Sequence, residues 1–358
     1  MRSSDSHPAS WQYPSPHIRS GISDLSRSIC CDNVAVRQSQ PSDKPMAETE
    51  TTETKSISTF SVIGCGLIGA SWAALASTAG LQVRAWDPDF KAGESFLQRV
   101  SYAREQLVSL GMGGNGEIAV VETLADAVAT SDWIQENAPE RLDLKISLLR
   151  EIEAAAPTDC VIASSTSSLL WSDLAQALAH PNRFILAHPF NPPHLMPLVE
   201  IYGAESELRD RAAAFYRRLN RIPVCLKREA RGHIANRLAS ALWREAVNIV
   251  ASGIAEVGDV DLALVNGPGL RWSVIGAHMA YHLGGGPGGI AHYLQHLGPS
   301  QERRWADLGT PQLTPEVFQL LCDGIAEEAA GRSIADLEQE RDSALMATLK
   351  LRQADRAS

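Results

Sequence analysis

Between residue 57 and about residue 227, short apolar runs of strand length alternate with longer stretches of helical period. The short runs fall at 60–63, 82–86, 133–135, 161–163, 184–187 and 222–226, and the helical stretches at 67–79, 91–110, 142–156 and 205–219. Strands that alternate with helices predict parallel pairing, because a parallel crossover needs a helix-length connection, and so a doubly wound sheet. Beyond Gly232 the strand runs stop. Residues 234–252, 259–265, 274–283, 315–330 and 334–351 are helical in period. The expected fold class is α/β, with a doubly wound domain at 57–228 followed by a mostly α-helical domain at 229–358.

Residues 1–56 show no such periodicity. They are rich in Ser, Thr, Pro and Gln and cannot bury enough apolar area to offset chain entropy, which predicts a disordered tail. Arg2, Arg19 and Arg27 among serines faintly resemble a transit peptide, Asp5 and Asp24 argue against one, and Met46 is an alternative start. From Ser56 to Val83 there is no charged side chain, a length that could span a bilayer. Gly64, Gly66, Gly69 and Gly80, with a strand-like first part, favour a buried strand–turn–helix instead, and no membrane association is expected. The 358-residue chain has 32 Lys and Arg against 42 Asp and Glu, a formal net charge of −10. An acidic surface disfavours nucleic acid or anionic lipid as the principal partner but leaves room for a locally basic pocket. The 6 cysteines are scattered without metal spacing, which fits a reduced, cytoplasmic protein.

The run at 60–63 leads straight into Gly64-Cys65-Gly66-Leu67-Ile68-Gly69 and then a helix. In Gly-x-Gly-x-x-Gly the first glycine allows the tight turn, the second lets backbone approach a pyrophosphate, and the third lets helix pack on strand. A second strand ends in Asp87, 18 residues after Gly69. A carboxylate there accepts from both ribose hydroxyls and repels a 2′-phosphate, so the domain is Rossmann-type and its cofactor NAD, not NADP. Arg84, inside that strand, does not change the preference.

The run at 184–187 delivers His188-Pro189-Phe190-Asn191-Pro192-Pro193, with Glu200 twelve residues after His188. At the carboxyl end of a strand in an open α/β sheet, His188 stands where ligands bind; as an isolated residue it is equally a core or surface histidine. The run at 161–163 brings Ser164-Ser165-Thr166-Ser167-Ser168 to the same edge. These motifs, with Gly232-His233-Ile234-Ala235-Asn236-Arg237-Leu238, resemble the 3-hydroxyacyl-CoA dehydrogenase superfamily over about residues 57–350. Trp86-Asp87-Pro88, the stretch from Gln135 to Lys145, Ala241-Leu242-Trp243-Arg244-Glu245-Ala246 and Gly269-Leu270-Arg271-Trp272-Ser273 are most similar to the L-carnitine dehydrogenases, with L-gulonate 3-dehydrogenase (lambda-crystallin) as next relative. The resemblance implies that His188 is the general base and Glu200 its partner. It implies that Ser167 bonds the reacting oxygen, that Asn191 positions substrate and nicotinamide, and that Asn236 closes the site. Glu140 and Lys145 lie near the cofactor in this reading, a solvated helix start being the alternative. A packing hydrogen bond is the alternative for Asn236. A homodimer through the helical domain is also implied.

Three departures bear on the substrate. Pro189 follows His188 where acyl-CoA enzymes usually have Phe, Arg231 stands in place of Pro, and His233 in place of Phe. Arg271 could bind a free substrate carboxylate bidentately, which a thioester does not offer, or form a structural or dimer-interface salt bridge. Trp243, Trp272, Tyr281 and Tyr293 could face a trimethylammonium group or be plain core. The implied reaction is oxidation of the 3-hydroxyl of a short 3-hydroxy acid by NAD, L-carnitine to 3-dehydrocarnitine first, with L-gulonate or a 3-hydroxyacyl-CoA as alternatives. A non-catalytic crystallin-like or NAD-sensing protein is the alternative of another kind. The pairs His278/His282 and His292/His296 have helical metal-ligand spacing but no third ligand nearby, and no metal is expected.

Overall fold

The computed structural model describes residues 56–89 and 92–357; the expected tail, save Ser56, lies outside the described residues, Met46 with it. Among the described residues β1 (Thr59–Ile63), β2 (Gln82–Trp86), β3 (Ile118–Val120), β4 (Trp133–Glu136), β5 (Val161–Ser164), β6 (Phe184–Pro189), β7 (Leu198–Tyr202) and β8 (Ile222–Cys225) form one sheet. Its order is β3-β2-β1-β4-β5-β6-β7-β8. Around it run α1 (Leu67–Thr78), α2 (Ala92–Ser109), α3 (Leu124–Val128), α4 (Leu142–Ala155), α5 (Trp171–Ala175) and α6 (Ser206–Arg218). The helical region holds α7 (Ala235–Ala251), α8 (Val257–Asn266), α9 (Pro268–Val274), α10 (Ala277–Gly284), α11 (Gly289–Asp307), α12 (Pro315–Ala329) and α13 (Ile334–Ala357). The charge-free stretch from residue 56 to 83 is divided among β1, α1 and the start of β2, and no helix of the described residues is long and apolar enough to cross a membrane.

The central strands are apolar on both faces because helices cover both. Successive side chains alternate between two cores. Phe60, Val62, Trp133, Ala163 and Ile185 pack with Trp72, Phe96, Phe215 and Tyr216 on one face. Ile63, Ile134, Ile162, Phe184 and Leu186 pack with Leu149, Ile152 and Leu174 on the other. The Trp133 and Phe215 rings stack at 4.2 Å.

The expectation of uniformly parallel pairing is corrected at one place. β7 runs antiparallel to β6, with His188 opposite Glu200 in register. Only residues 190–197 join the two strands, too few for a crossover helix. β3 and β7 add to the expected strands: β3 has three residues, and β7 follows β6 without the helix that the alternation demands. The helix expected at 274–283 is α10, beginning at Ala277; Val274 ends the unexpected α9, and α11 forms despite Pro299 within it.

Beyond α7 the helices bury little. No residue of α9 or α12 is fully buried, and Val274 is 81% exposed.

His194, in the β6–β7 connection, is buried, with Nδ1 2.9 Å from Ser71 Oγ and Nε2 2.6 Å from Gln106 Oε1. Burial, the largest cause, pushes its imidazole down from 6.5 to about 4. Across that window the unfolded chain binds a proton that the folded protein refuses. Stability through this group is therefore complete above pH 6.5 and declines towards pH 4, at about 1.4 kcal/mol per pH unit. Urea denaturation at pH 4.5–7 should show this slope, and His194→Gln should remove it.

Candidate active site

β1 delivers the glycine turn to the first turn of α1. Gly64 has φ +96°, and a Cβ on it would lie 2.9 Å from the Asn137 backbone at the end of β4. A Cβ on Gly69 would lie 2.0 Å from the Gly64 carbonyl oxygen. A Cβ on Gly66 would meet nothing within 4 Å, so this glycine leaves the turn open on its outer side. α1 has neither a side-chain cap nor an acidic residue in its first turn, which leaves the early N–H groups free for an anion. Burial first, and then the Asp87 charge, push the Cys65 thiol up to about 12, so it stays neutral.

The strand order reverses between β1 and β4, the point where doubly wound sheets bind ligands. A crevice of about 530 Å³ opens there, lined by Gly64 and Gly66, by Trp86 and Asp87 of the β2 end, and by Asn137 and Pro139. Asp87 Oδ2 accepts the Cys65 N–H at 2.8 Å and its Oδ1 the Asp89 N–H at 3.0 Å. Arg84 donates from Nε to the Asp126 carbonyl at 2.7 Å and is engaged away from a 2′-phosphate.

At the carboxyl end of β6, His188 Nδ1 lies 2.9 Å from Glu200 Oε2, both side chains buried. The other carboxylate oxygen accepts the N–H groups of Ile234 (2.7 Å) and Ala235 (2.9 Å), where α7 begins. Burial raises the Glu200 pKa, but the His188 hydrogen bond and the two amides outweigh it and hold the carboxyl below the ordinary glutamate value. An ionised carboxylate only accepts, so His188 donates from Nδ1 and keeps a lone pair on Nε2.

The serine-rich turn after β5 is organised by Glu140. Its Oε1 accepts from the Thr166 hydroxyl (2.5 Å), the amides of Ser167 (2.8 Å) and Ser168 (2.7 Å), and their hydroxyls at 3.3 and 3.0 Å. Burial pulls Glu140 upward, but Thr166, Ser168 and Lys145 together hold it below the ordinary value. Lys145 is 1% exposed, so the solvated alternative does not describe it. It donates to Glu136 at 2.6 Å and to the Ala138 carbonyl at 2.9 Å, with Glu140 Oε2 at 3.8 Å. Glu136 also accepts the Ser164 hydroxyl. Neither Glu136 nor Ser164 was among the expected site residues; a glutamate ending an apolar strand was the available signal.

Asn191 is exposed and Asn236 half-buried, and among the described residues neither carboxamide has a hydrogen-bond partner. His233, at φ +48°, lies against the dyad: its ring is 4.9 Å from that of His188. Its Nε2 donates to the Thr166 carbonyl at 3.1 Å, and its Nδ1 is buried without a partner among the described residues. Arg271 is exposed on α9 and pairs with no carboxylate among the described residues. Trp243 and Trp272 are exposed, and Tyr281 packs on Tyr293 at 5.0 Å. Among the described residues no group of three or more His, Cys, Asp or Glu could hold a metal ion.

The family model described as 3-hydroxyacyl-CoA dehydrogenase, NAD binding domain, matches residues 59–230, and its C-terminal domain counterpart matches 232–314. An L-carnitine dehydrogenase of Nocardiopsis dassonvillei is 44% identical over 319 residues, 87% of this chain and 97% of that protein. One of Streptomyces coelicolor is 42% identical over 308 residues, 84% and 96% of the two chains. The chain belongs to the 3-hydroxyacyl-CoA dehydrogenase family. Among solved structures, 5-formyl-3-hydroxy-2-methylpyridine 4-carboxylic acid 5-dehydrogenase, an NAD+-dependent dismutase, superposes with a TM-score of 0.68 at 27% identity, covering 83% of this chain and 98% of that one. A 3-hydroxyacyl-CoA dehydrogenase of Archaeoglobus fulgidus gives 0.56 at 26% identity, covering 83% and 99%.

Membership brings NAD as cofactor and oxidation at a CH–OH group as the reaction class. The residues fit NAD: an open Gly66, uncapped amides of α1, and Asp87 on the rim of the crevice. Asp87→Ser should weaken NAD binding about tenfold, the size of one lost charge-assisted hydrogen bond, while NADP binding holds or improves. Fluorescence titration with NADH and NADPH measures both.

Proposed function

We propose that the protein oxidises the 3-hydroxyl of L-carnitine to the 3-oxo acid, with NAD as hydride acceptor. What carries this reading is the His188–Glu200 dyad at the carboxyl edge of the sheet, in a chain whose relatives at 44 and 42% identity are named L-carnitine dehydrogenases. NAD, when bound, supplies the hydride-accepting ring. The amides of Gly66, Leu67, Ile68 and Gly69 hold its phosphates, and Asp87 takes the adenosine ribose hydroxyls. His188 Nε2 takes the proton of the substrate hydroxyl, and Glu200 stabilises the imidazolium that results. Ser167 donates to the reacting oxygen where charge develops, Asn191 orients the substrate, and Asn236 closes the site from α7. Glu140 serves by holding the Thr166–Ser168 turn, and Lys145 by holding Glu136 beneath it. Arg271, exposed and unengaged by any carboxylate among the described residues, takes the substrate carboxylate.

We also infer a cytoplasmic homodimer joined through the helical region. Leu238, Trp243, Ile254, Val274 and Phe318 are each more than half exposed, apolar positions that a second copy would cover. Cys65, Cys160, Cys225 and Cys322 are free thiols, in keeping with a reducing compartment.

A spectrophotometric screen of NAD reduction with L-carnitine, L-gulonate, 3-hydroxybutyrate and 3-hydroxybutyryl-CoA tests the substrate. L-carnitine should give the highest kcat/KM; a higher value for another member reassigns the substrate, and NADH binding without any turnover makes this a binding protein. His188→Ala should lower kcat by roughly 10²–10⁴-fold. Glu200→Gln should lower kcat, because the charge that stabilises the imidazolium is gone. Arg271→Met should raise KM for L-carnitine about tenfold or more, the loss of a bidentate charged pair, and an unchanged KM discards that role. Sedimentation should give twice the 38.7 kDa chain mass.

A further inference from the structure

The connection from β6 to β7 carries Asn191 and is gripped from two sides. On one side the buried Arg221 donates from Nη1 to the carbonyls of Pro193 (2.8 Å), His194 (3.3 Å) and Met196 (3.4 Å). On the other side a chain of hydrogen bonds crosses three helices. Asp342 of α13, 5% exposed, accepts from Gln106 Nε2 at 3.1 Å. Gln106, on α2, accepts through Oε1 from His194 Nε2 at 2.6 Å. His194 Nδ1 then lies 2.9 Å from the hydroxyl of Ser71, one turn along α1 from Leu67.

The carboxylate sets the polarity of the whole chain. Asp342 can only accept, so the Gln106 amide nitrogen faces it and the amide oxygen faces His194. The His194 proton is therefore on Nε2, and the single Ser71 hydroxyl proton is shared between His194 Nδ1 and the Leu67 carbonyl at 3.1 Å. Arg341 donates to the other Asp342 oxygen at 2.8 and 2.9 Å. Each member has a partner, and a buried polar network so connected rigidifies its surroundings. Beside it lies a cavity of about 520 Å³ whose walls include Leu67, Tyr102, Pro192, His194 and Asp342. α13 stands outside the region matched by the family models, which ends at residue 314.

We propose that Asp342 is a positioning residue for the dehydrogenase reaction: through Gln106 and His194 it fixes the 190–197 connection that presents Asn191, and through Ser71 it fixes the same connection to the first turns of α1. The proposal rests on the reading that Asn191 orients the substrate. A helix at the far end of the chain thus completes a site built from the first half.

The test uses the full chain with Asp342→Ala, Asp342→Asn, Gln106→Met and Asn191→Ala. Hydrogen exchange in NAD-free protein is followed at the amides of Leu195 and Met196, both bonded to the Pro192 carbonyl. Asp342→Ala and Gln106→Met should speed that exchange about tenfold and lower kcat/KM for L-carnitine by a similar factor, mainly through KM. Asp342→Asn, which keeps an acceptor for Gln106, should restore both to within about threefold of wild type. Unchanged exchange in both disrupting variants overturns the proposal. So does a loss of activity that follows only the folded fraction, or an Asn variant no better than Ala; if Asp342→Ala does not fold, Gln106→Met decides the matter. Wild-type kinetics in Asn191→Ala would sink the reading of Asn191 instead, with the exchange measurement still reporting on the network.

Discussion

The structure turns on one buried carboxylate. Glu200 uses one oxygen for His188 and the other for the first amides of α7. A buried glutamate without partners would be strongly destabilising, and each partner belongs to a different part of the chain: β6 and the root of the helical region. The same contacts that make its burial tolerable also fix the imidazole tautomer. Stability and chemistry are here one set of hydrogen bonds.

Around that pair the site is layered by charge. Glu140 gathers the donors of the Thr166–Ser168 turn, while Glu136 beneath it takes Lys145 and Ser164. Two acidic groups so close would repel without Lys145, which lies within 2.6 Å of one and 3.8 Å of the other. The cofactor side, in contrast, begins with a turn that offers backbone amides. Its three glycines answer three different demands of space, and Asp87 and Glu151 are the charged residues in the lining of its crevice.

Much of this was legible in the sequence because it is local. The glycine turn, Asp87, His188 and the strands that deliver them are set by short-range pattern, and β2 falls on the expected residues 82–86. What escaped was non-local. β7 is an ordinary apolar strand whose direction depends on the short loop before it, and its pairing is what puts Glu200 opposite His188. Lys145 was expected near the cofactor, but its burial against Glu136 was not legible, because it depends on a strand end nine residues earlier. Asp342 and Gln106 are 236 positions apart, a separation at which no periodicity announces a partner. α11 is hidden by Pro299 and the glycine-rich segment before it, where packing overrides local preference.

The double grip of Glu200 has a mechanical consequence. A hinge that parted the helical region from the sheet at the root of α7 would pull the two amides from one oxygen, while His188, on the strand paired with β7, would keep the other. An open molecule would keep its tautomer but leave a buried carboxylate short of two donors, a cost that draws the helical root back onto the sheet.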